Sequence, residues 1–415
     1  MDGLRRGWAF GALAAAALVS CSERARQVQG EAELRQAVDQ MIPAVQRATA
    51  LKFKRHPVVL RRTRAQVRDY VIHKFDQDLS PAEQAGVQAA YRLFGLLPDS
   101  IDLRRTMIDL LTEQVAGYYD ADSNALYVPL DIDPAHARIV ISHELVHALQ
   151  DQYVDLDSLI QQKQQNDRRS AAQAILEGQA TMAQILVLMP EQRVESLPSF
   201  WALRSALGQQ QAQMSIFATA PLWLRESLIF PYLAGAEFVR WFERRHPGKE
   251  PFGALMPTST EQILHTDRYD AGDRPVPLSF VGPAPDTVRY ENDLGEFETR
   301  LLLEQFLGDE REATARATGW GGDRYEVLGP AADVIVWYSV WDDAAAADRF
   351  AVGLKHAWAK RRPQGDGGGV GGGGGTGRRW EIVRLAVAGR PGVRLVDAPV
   401  NWVGWHRVPR VRIGP

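Results

Sequence analysis

At 415 residues the chain is long enough for two domains, and 45% hydrophobic with 24% charged residues is ordinary for a protein that buries a core. A net charge of −3 excludes the basic surplus on which nucleic-acid binding rests. A single cysteine excludes an internal disulfide, so the fold stands on its core or on a bound metal.

The chain opens with Arg5 and Arg6, followed by an apolar stretch from Trp8 to Val19 of signal-peptide length. It is too short and too early for a spanning helix. The stretch ends in LVSC, whose Cys21 is the one cysteine. This resembles the lipobox of bacterial lipoproteins, which implies a signal peptide over residues 1–21, lipidation of Cys21 and a membrane anchor on an exported chain. The other reading is an ordinary signal peptide with an incidental cysteine. Ser22 in place of Asp fits the outer membrane or cell surface better than the inner membrane. Residues 22–30 are polar and read as a tether.

Residues 31–100 carry a helical pattern punctuated by Pro43, Pro57, Pro81 and Pro98. Ser80, Pro81 and Glu83 open one helix as cap, first position and first-turn acid. A further helix, IDLRRTMIDLLTEQ, leads into AGYYDADSNALYVPL, which reads as a hairpin of Gly117 to Tyr119 and Ala125 to Val128. Three more helices are predicted, Ala135 to Tyr153, Arg168 to Met189 and Leu222 to Arg245, with residues 246–290 mostly loop.

From residue 290 the pattern changes to a separate α+β unit: helix GEFETRLLLEQFLG, two strands in YEVLGPAADVIVWYSVWDD, a helix, then a hairpin around a Gly/Pro turn. GWGGDRYEVL reads as a Gly-rich turn with Trp320 packed and Asp323 capping. The Gly-rich run 365–377 is a flexible connector, lacking the strand, spacing and Lys of a phosphate-binding loop. The expected fold class is therefore α+β: a mainly helical catalytic domain with a small hairpin over 31–289, then a smaller α+β domain over 290–415. This second domain shows no catalytic constellation.

The chemistry lies in HELVHALQDQ. His143 and His147 stand four residues apart on the predicted helix, so they share a face and can offer two imidazoles to one ion. Glu144 beside them can take a proton from a water as it attacks a carbonyl. A catalytic zinc wants a third protein ligand. No His follows at the spacing of H-E-x-x-H-x-x-G-x-x-H, whereas AAQAILEGQATMAQIL carries Glu177 thirty residues after His147, among apolar and small neighbours where a lone carboxylate is costly. A structural zinc would close its fourth position with a protein ligand, and no further His or Cys stands between the motif and Glu177. Asp151, four residues after His147, either orients an imidazole or is solvated at the helix end. Thr181 either braces Glu177 or simply packs.

In that order, QVAGYYDADSNALYV, HELVHALQDQ and ILEGQAT resemble the gluzincin metallopeptidases, within them the peptidase MA-like bacterial lipoproteins, over roughly residues 50–270. FPYLAGAEFV and PTSTEQILHTDRY share the look more weakly. The resemblance implies a zincin-type fold with Zn2+ on His143, His147 and Glu177, and Glu144 as general base toward a protein or peptide substrate. It implies that the hairpin edge lies along the active-site helix and that Gly117, Tyr118 and Tyr119, or else Ala125 to Val128, bind an extended peptide by strand addition; plain core strands are the equal alternative. Relatives often stabilise the oxyanion with a distant His or Tyr; His265 is the first choice here, with Tyr269 or Tyr232 next, against a surface role for His265. Rival readings are a non-catalytic envelope lipoprotein that keeps zinc as a binding or assembly factor, and a zinc hydrolase of non-peptide amides such as cell-wall material.

Overall fold

The computed structural model describes residues 31–160, 162–204, 214–362 and 377–414. Cys21, the signal peptide, the tether and the Gly-rich run up to residue 376 lie outside these. In chain order come α1 (31–49), β1 (Val58–Arg62), α2 (Arg64–Asp78), α3 (Pro81–Phe94), α4 (Leu103–Gln114), β2 (Tyr118–Asp120), β3 (Ala125–Pro129), α5 (Pro134–Gln150), α6 (Leu156–Ile160) and α7 (Asn166–Leu188). Then follow α8 (Leu222–Arg245), α9 (Thr260–Leu264), β4 (Leu278–Val281), β5 (Val288–Asn292), α10 (Gly295–Leu307), α11 (Glu310–Ala317), β6 (Trp320–Leu328) and β7 (Val334–Trp341). α12 (Ala344–Arg361), β8 (Arg378–Val387), β9 (Arg390–Pro399) and β10 (Arg410–Ile413) complete a mixed α+β chain.

Contacts divide the chain into two compact units. One holds the chain up to Val67 with Val115–Tyr153 and Ala183–Gln192; the other holds Arg68–Gln114, Val154–Met182 and Arg193–Pro415. The helices of residues 68–114 thus cluster with the C-terminal sheet.

In the first unit the sheet order is β1-β3-β2, with β1 parallel and β2 antiparallel to β3. β1 corrects the helical reading of residues 31–100: α1 ends at residue 49, and after Pro57 the β-branched pair Val58 and Val59 starts a strand. Being central, β3 is buried along its whole length, while edge strand β2 is half-buried. α5 starts where Asp133 accepts from Ala135 N and His136 N and Pro134 fills the first position. Its residues Ile141, Leu145 and Leu149, four apart, are fully buried, and the helix packs on β3 and β2. The end of the motif is structural: Gln152 Oε1 accepts from Lys54 N at 2.6 Å and Arg55 N at 2.9 Å, and Tyr153 Oη donates to Lys52 O at 2.7 Å.

In the second unit an antiparallel sheet runs β5-β6-β7-β9-β8. α12 packs on β7, β8 and β9, and α10 on β6. β7 is buried on both faces, as its continuous apolar run requires. Trp337 and Trp341 meet Phe350 of α12, with ring centroids 5.6 and 4.3 Å away. Val336, Tyr338 and Val340, one residue out of phase, join Leu278 and Trp402 in a cluster on which Val411 and Ile413 of β10 pack. Among residues 246–290, read as mostly loop, the structure forms α9 and β4.

The stretch Gly319 to Leu328, expected as a Gly-rich turn, is instead strand β6 from Trp320 onward, where the register shifts between Trp320 and Gly322. Gly322 holds φ +147, and a Cβ there would strike Val276 O, so only glycine fits. Asp323 does cap: its carboxylate accepts from Leu294 N and Gly295 N, each at 2.9 Å, at the start of α10. It also accepts from Trp320 Nε1 at 3.1 Å and Trp337 Nε1 at 2.8 Å. Burial raises its pKa even against these four donors. Asp323→Ala would strand four buried N–H groups, and a loss of at least about 3 kcal/mol is expected in urea unfolding. A loss under about 1 kcal/mol would show that water replaces the carboxylate.

Candidate functional site

The buried face of α5 fixes its azimuth, and this turns His143, Glu144 and His147 onto a half-buried face while Ile141, Leu145, Val146, Ala148 and Leu149 stay inside. The two imidazoles converge: His143 Nε2 and His147 Nε2 are 3.2 Å apart. Two ligands of one tetrahedral zinc, each at about 2.0–2.1 Å, stand about 3.3–3.4 Å apart, so the pair fits such an ion.

A residue that sequence reasoning missed completes this pair. Gln150 is fully buried, and its Oε1 lies 2.8 Å from His147 Nδ1. An amide oxygen only accepts, so Nδ1 carries the proton and Nε2 keeps its lone pair toward His143. The signal was there: Gln150 follows His147 by three residues on a helix, one turn away. Asp151, the expected orienting carboxylate, instead accepts from Tyr119 Oη at 2.7 Å. Burial, then this hydrogen bond, pushes the Tyr119 phenol well above its ordinary pKa, so the phenol stays protonated and donates.

The hairpin reaches α5 at the same place. Tyr119 N donates to Glu144 Oε2 at 2.8 Å. β2 has β3 on one side only, so this N–H points off the sheet edge toward the carboxylate. Gly117 permits the close approach, since a Cβ there would clash with Val140 of α5. Tyr118 stacks on Tyr127 with centroids 5.0 Å apart, and burial lifts its phenol to about 12. Of the expected substrate residues, Tyr119 therefore offers edge backbone, and Gly117 and Tyr118 shape the strand.

The remaining residues lie in the second unit. Glu177 is a half-buried residue of α7 between the buried Leu176 and Gly178; a Cβ on Gly178 would overlap Gly235 of α8. Thr181 Oγ1 is buried without a hydrogen-bond partner, so it does not brace Glu177. His265 Nε2 lies 2.7 Å from Glu296 Oε1, and this bond raises the His265 pKa. Tyr269 Oη donates to Leu255 O at 2.6 Å, and Tyr232 is an exposed residue of α8. The first two oxyanion candidates are thus engaged within their own unit.

The arrangement sets two converging imidazoles and a carboxylate on one helix, beside an open strand edge. Residues 286–408, outside that helix, match a family described as a domain of unknown function, DUF8575. No curated protein matches the chain. A solved structure, a candidate hydrolase with a novel fold from Chloroflexus aurantiacus, is 16% identical and covers 59% of this chain and 90% of that one, at a TM-score of 0.39. At that likeness no activity carries across, and the functional reading rests on the residues.

Gln150→Ala removes the acceptor on His147 Nδ1. Divalent-metal affinity is expected to fall about 10–100-fold, read by competition with a colorimetric chelator, with helix content unchanged by circular dichroism. Unchanged affinity would show that Gln150 only packs.

Proposed function

We propose that the chain is a zinc metallopeptidase of the cell envelope, with His143, His147 and Glu177 as ligands and Glu144 as general base. The observation that carries this is the convergence of two Nε2 atoms at 3.2 Å beside a carboxylate that touches the free strand edge. Support for Glu177 comes from its setting: a carboxylate thirty residues after His147, half-buried on α7 between the buried Leu176 and Gly178, where a cation would offset the cost of burial.

Zinc bound there would acidify a water to near neutral pH and polarise a carbonyl. The protein's own residues do the rest. Gln150 holds the His147 tautomer. Glu144 accepts the proton from the attacking water and returns it to the leaving amine. An extended substrate paired along β2 takes over the Tyr119 N–H, which frees the Glu144 carboxylate for that proton. The lipobox at Cys21 would hold this site outside the cytoplasm on a membrane; no described helix is long and apolar enough to cross one.

Glu144→Gln is expected to retain zinc and to lose cleavage of a peptide library by about 10²–10⁴-fold. Glu177→Ala is expected to lose zinc at the metal-analysis stage. If wild type and Glu144→Gln both bind zinc and neither cleaves, the peptidase reading fails and a zinc-holding binding or assembly factor replaces it. Zinc retained undiminished in Glu177→Ala would remove Glu177 from the ligand set.

A further inference from the structure

A second set of carboxylates lies in the C-terminal unit, on elements the proposed peptidase chemistry does not use. Glu261 sits on α9, whose first turn is capped by Ser259 Oγ accepting from Gln262 N at 3.2 Å. Its side chain is carried inside the unit: Glu261 is 1% exposed, and its Oε1 has no hydrogen-bond partner. One carboxylate oxygen each of Glu261, Asp273 and Asp342 lies within 4.8 Å of the others. Asp273 is half-buried and Asp342 is exposed, so the group runs from a buried floor to a rim open to solvent.

The charges around this group do not balance. Arg268 reaches Asp273 Oδ2 at 3.1 Å and also pairs with Asp342 Oδ2, but makes no hydrogen bond to Glu261. Glu296, 2% exposed, adds a fourth carboxylate, with Oε1 on His265 and Oε2 without a partner. Two guanidiniums, of Arg268 and Arg300, and one imidazole thus face four acids. Burying a carboxylate without hydrogen bonds costs several kcal/mol unless a cation meets it. Burial and the charges of Glu296, Asp342 and Asp273 push Glu261 up to about 9.

We propose that Glu261, Asp273 and Asp342 form a site for a hard divalent cation of the calcium or magnesium class. An all-oxygen donor set selects such ions over zinc or copper, which prefer nitrogen and sulfur. Calcium takes six to eight oxygens at about 2.3–2.6 Å, so opposite ligands stand about 4.6–5.2 Å apart, and three carboxylates plus water from the open rim can supply that shell. The cation would neutralise the floor carboxylate and tie α9 to the strand end at Asp342 and to the loop at Asp273. The site is independent of the histidine pair.

The test uses the full chain, stripped of calcium and magnesium by resin and titrated with CaCl2 and, separately, MgCl2, by calorimetry and thermal unfolding. One saturable site and a rise in Tm are expected for at least one ion. Glu261→Gln should weaken binding at least tenfold and abolish the Tm response. Without cation this variant should unfold at the wild-type temperature or above, because the amide matches the carboxyl in size and buries no charge; that readout separates a lost site from a damaged fold. His147→Ala should keep the response, which separates this site from the zinc reading. The proposal is overturned if neither ion gives saturable heat or a Tm shift in the wild type, or if Glu261→Gln and Asp273→Asn bind as the wild type does.

Discussion

One constraint sets the histidine site: α5 must bury Ile141, Leu145 and Leu149 against β3 and β2. A helix has a single azimuth that does this, and it turns residues 143, 144 and 147 toward the partly open side. Each buried leucine or isoleucine contributes about 1.5–3 kcal/mol, more than any hydrogen bond at the site. Packing therefore aims the imidazoles, and the polar contacts only refine them. Gln150 is the clearest refinement, since it shares the buried side of the helix and reaches His147 from within.

The second unit solves the opposite problem, which is how to keep acids inside. Asp397 is fully buried and receives Trp358 Nε1 at 3.0 Å and the guanidiniums of Arg362 and Arg378. Asp323 receives two indole and two backbone N–H groups. Indole is a donor with no competing acceptor, so a tryptophan can face a carboxylate and still fill the core. These two acids are satisfied and structural. Glu261 is buried as deeply and has no such donors, and this difference marks it for a ligand.

Much of this was legible in the sequence, for reasons that can be named. Helix α5 carries its Asp133 cap locally, α7 and α8 are long enough to show as helix from their own residues, and the β2–β3 hairpin advertises its Asp/Ser/Asn turn. β1 escaped because five residues, VVLRR, form a strand only through parallel pairing with β3, more than sixty positions away. GWGGDRYEVL misled because its glycines serve a bulge inside a strand, while the capping by Asp323 was readable. The i, i+4 geometry of His143 and His147 was legible because it is local. Spacing left Asp151 open between an imidazole and solvent, and it could not show that Tyr119 donates to this carboxylate.

The contact between Tyr119 N and Glu144 Oε2 joins these strands of argument. An edge N–H exposed to water would lose little by being unpaired, so its bond to Glu144 adds only about 1 kcal/mol. The same bond, however, occupies a carboxylate oxygen that a general base needs. In the proposed peptidase, a substrate strand pairing with β2 would supply a better partner for the N–H, a carbonyl in ladder geometry, and release the carboxylate when the scissile bond arrives. Binding and base activation are then one event, because a single N–H cannot serve both acceptors fully. A ligand that reached the histidines without pairing along the edge would meet a base still tied down, and extended peptides would be favoured over compact amides by that geometry.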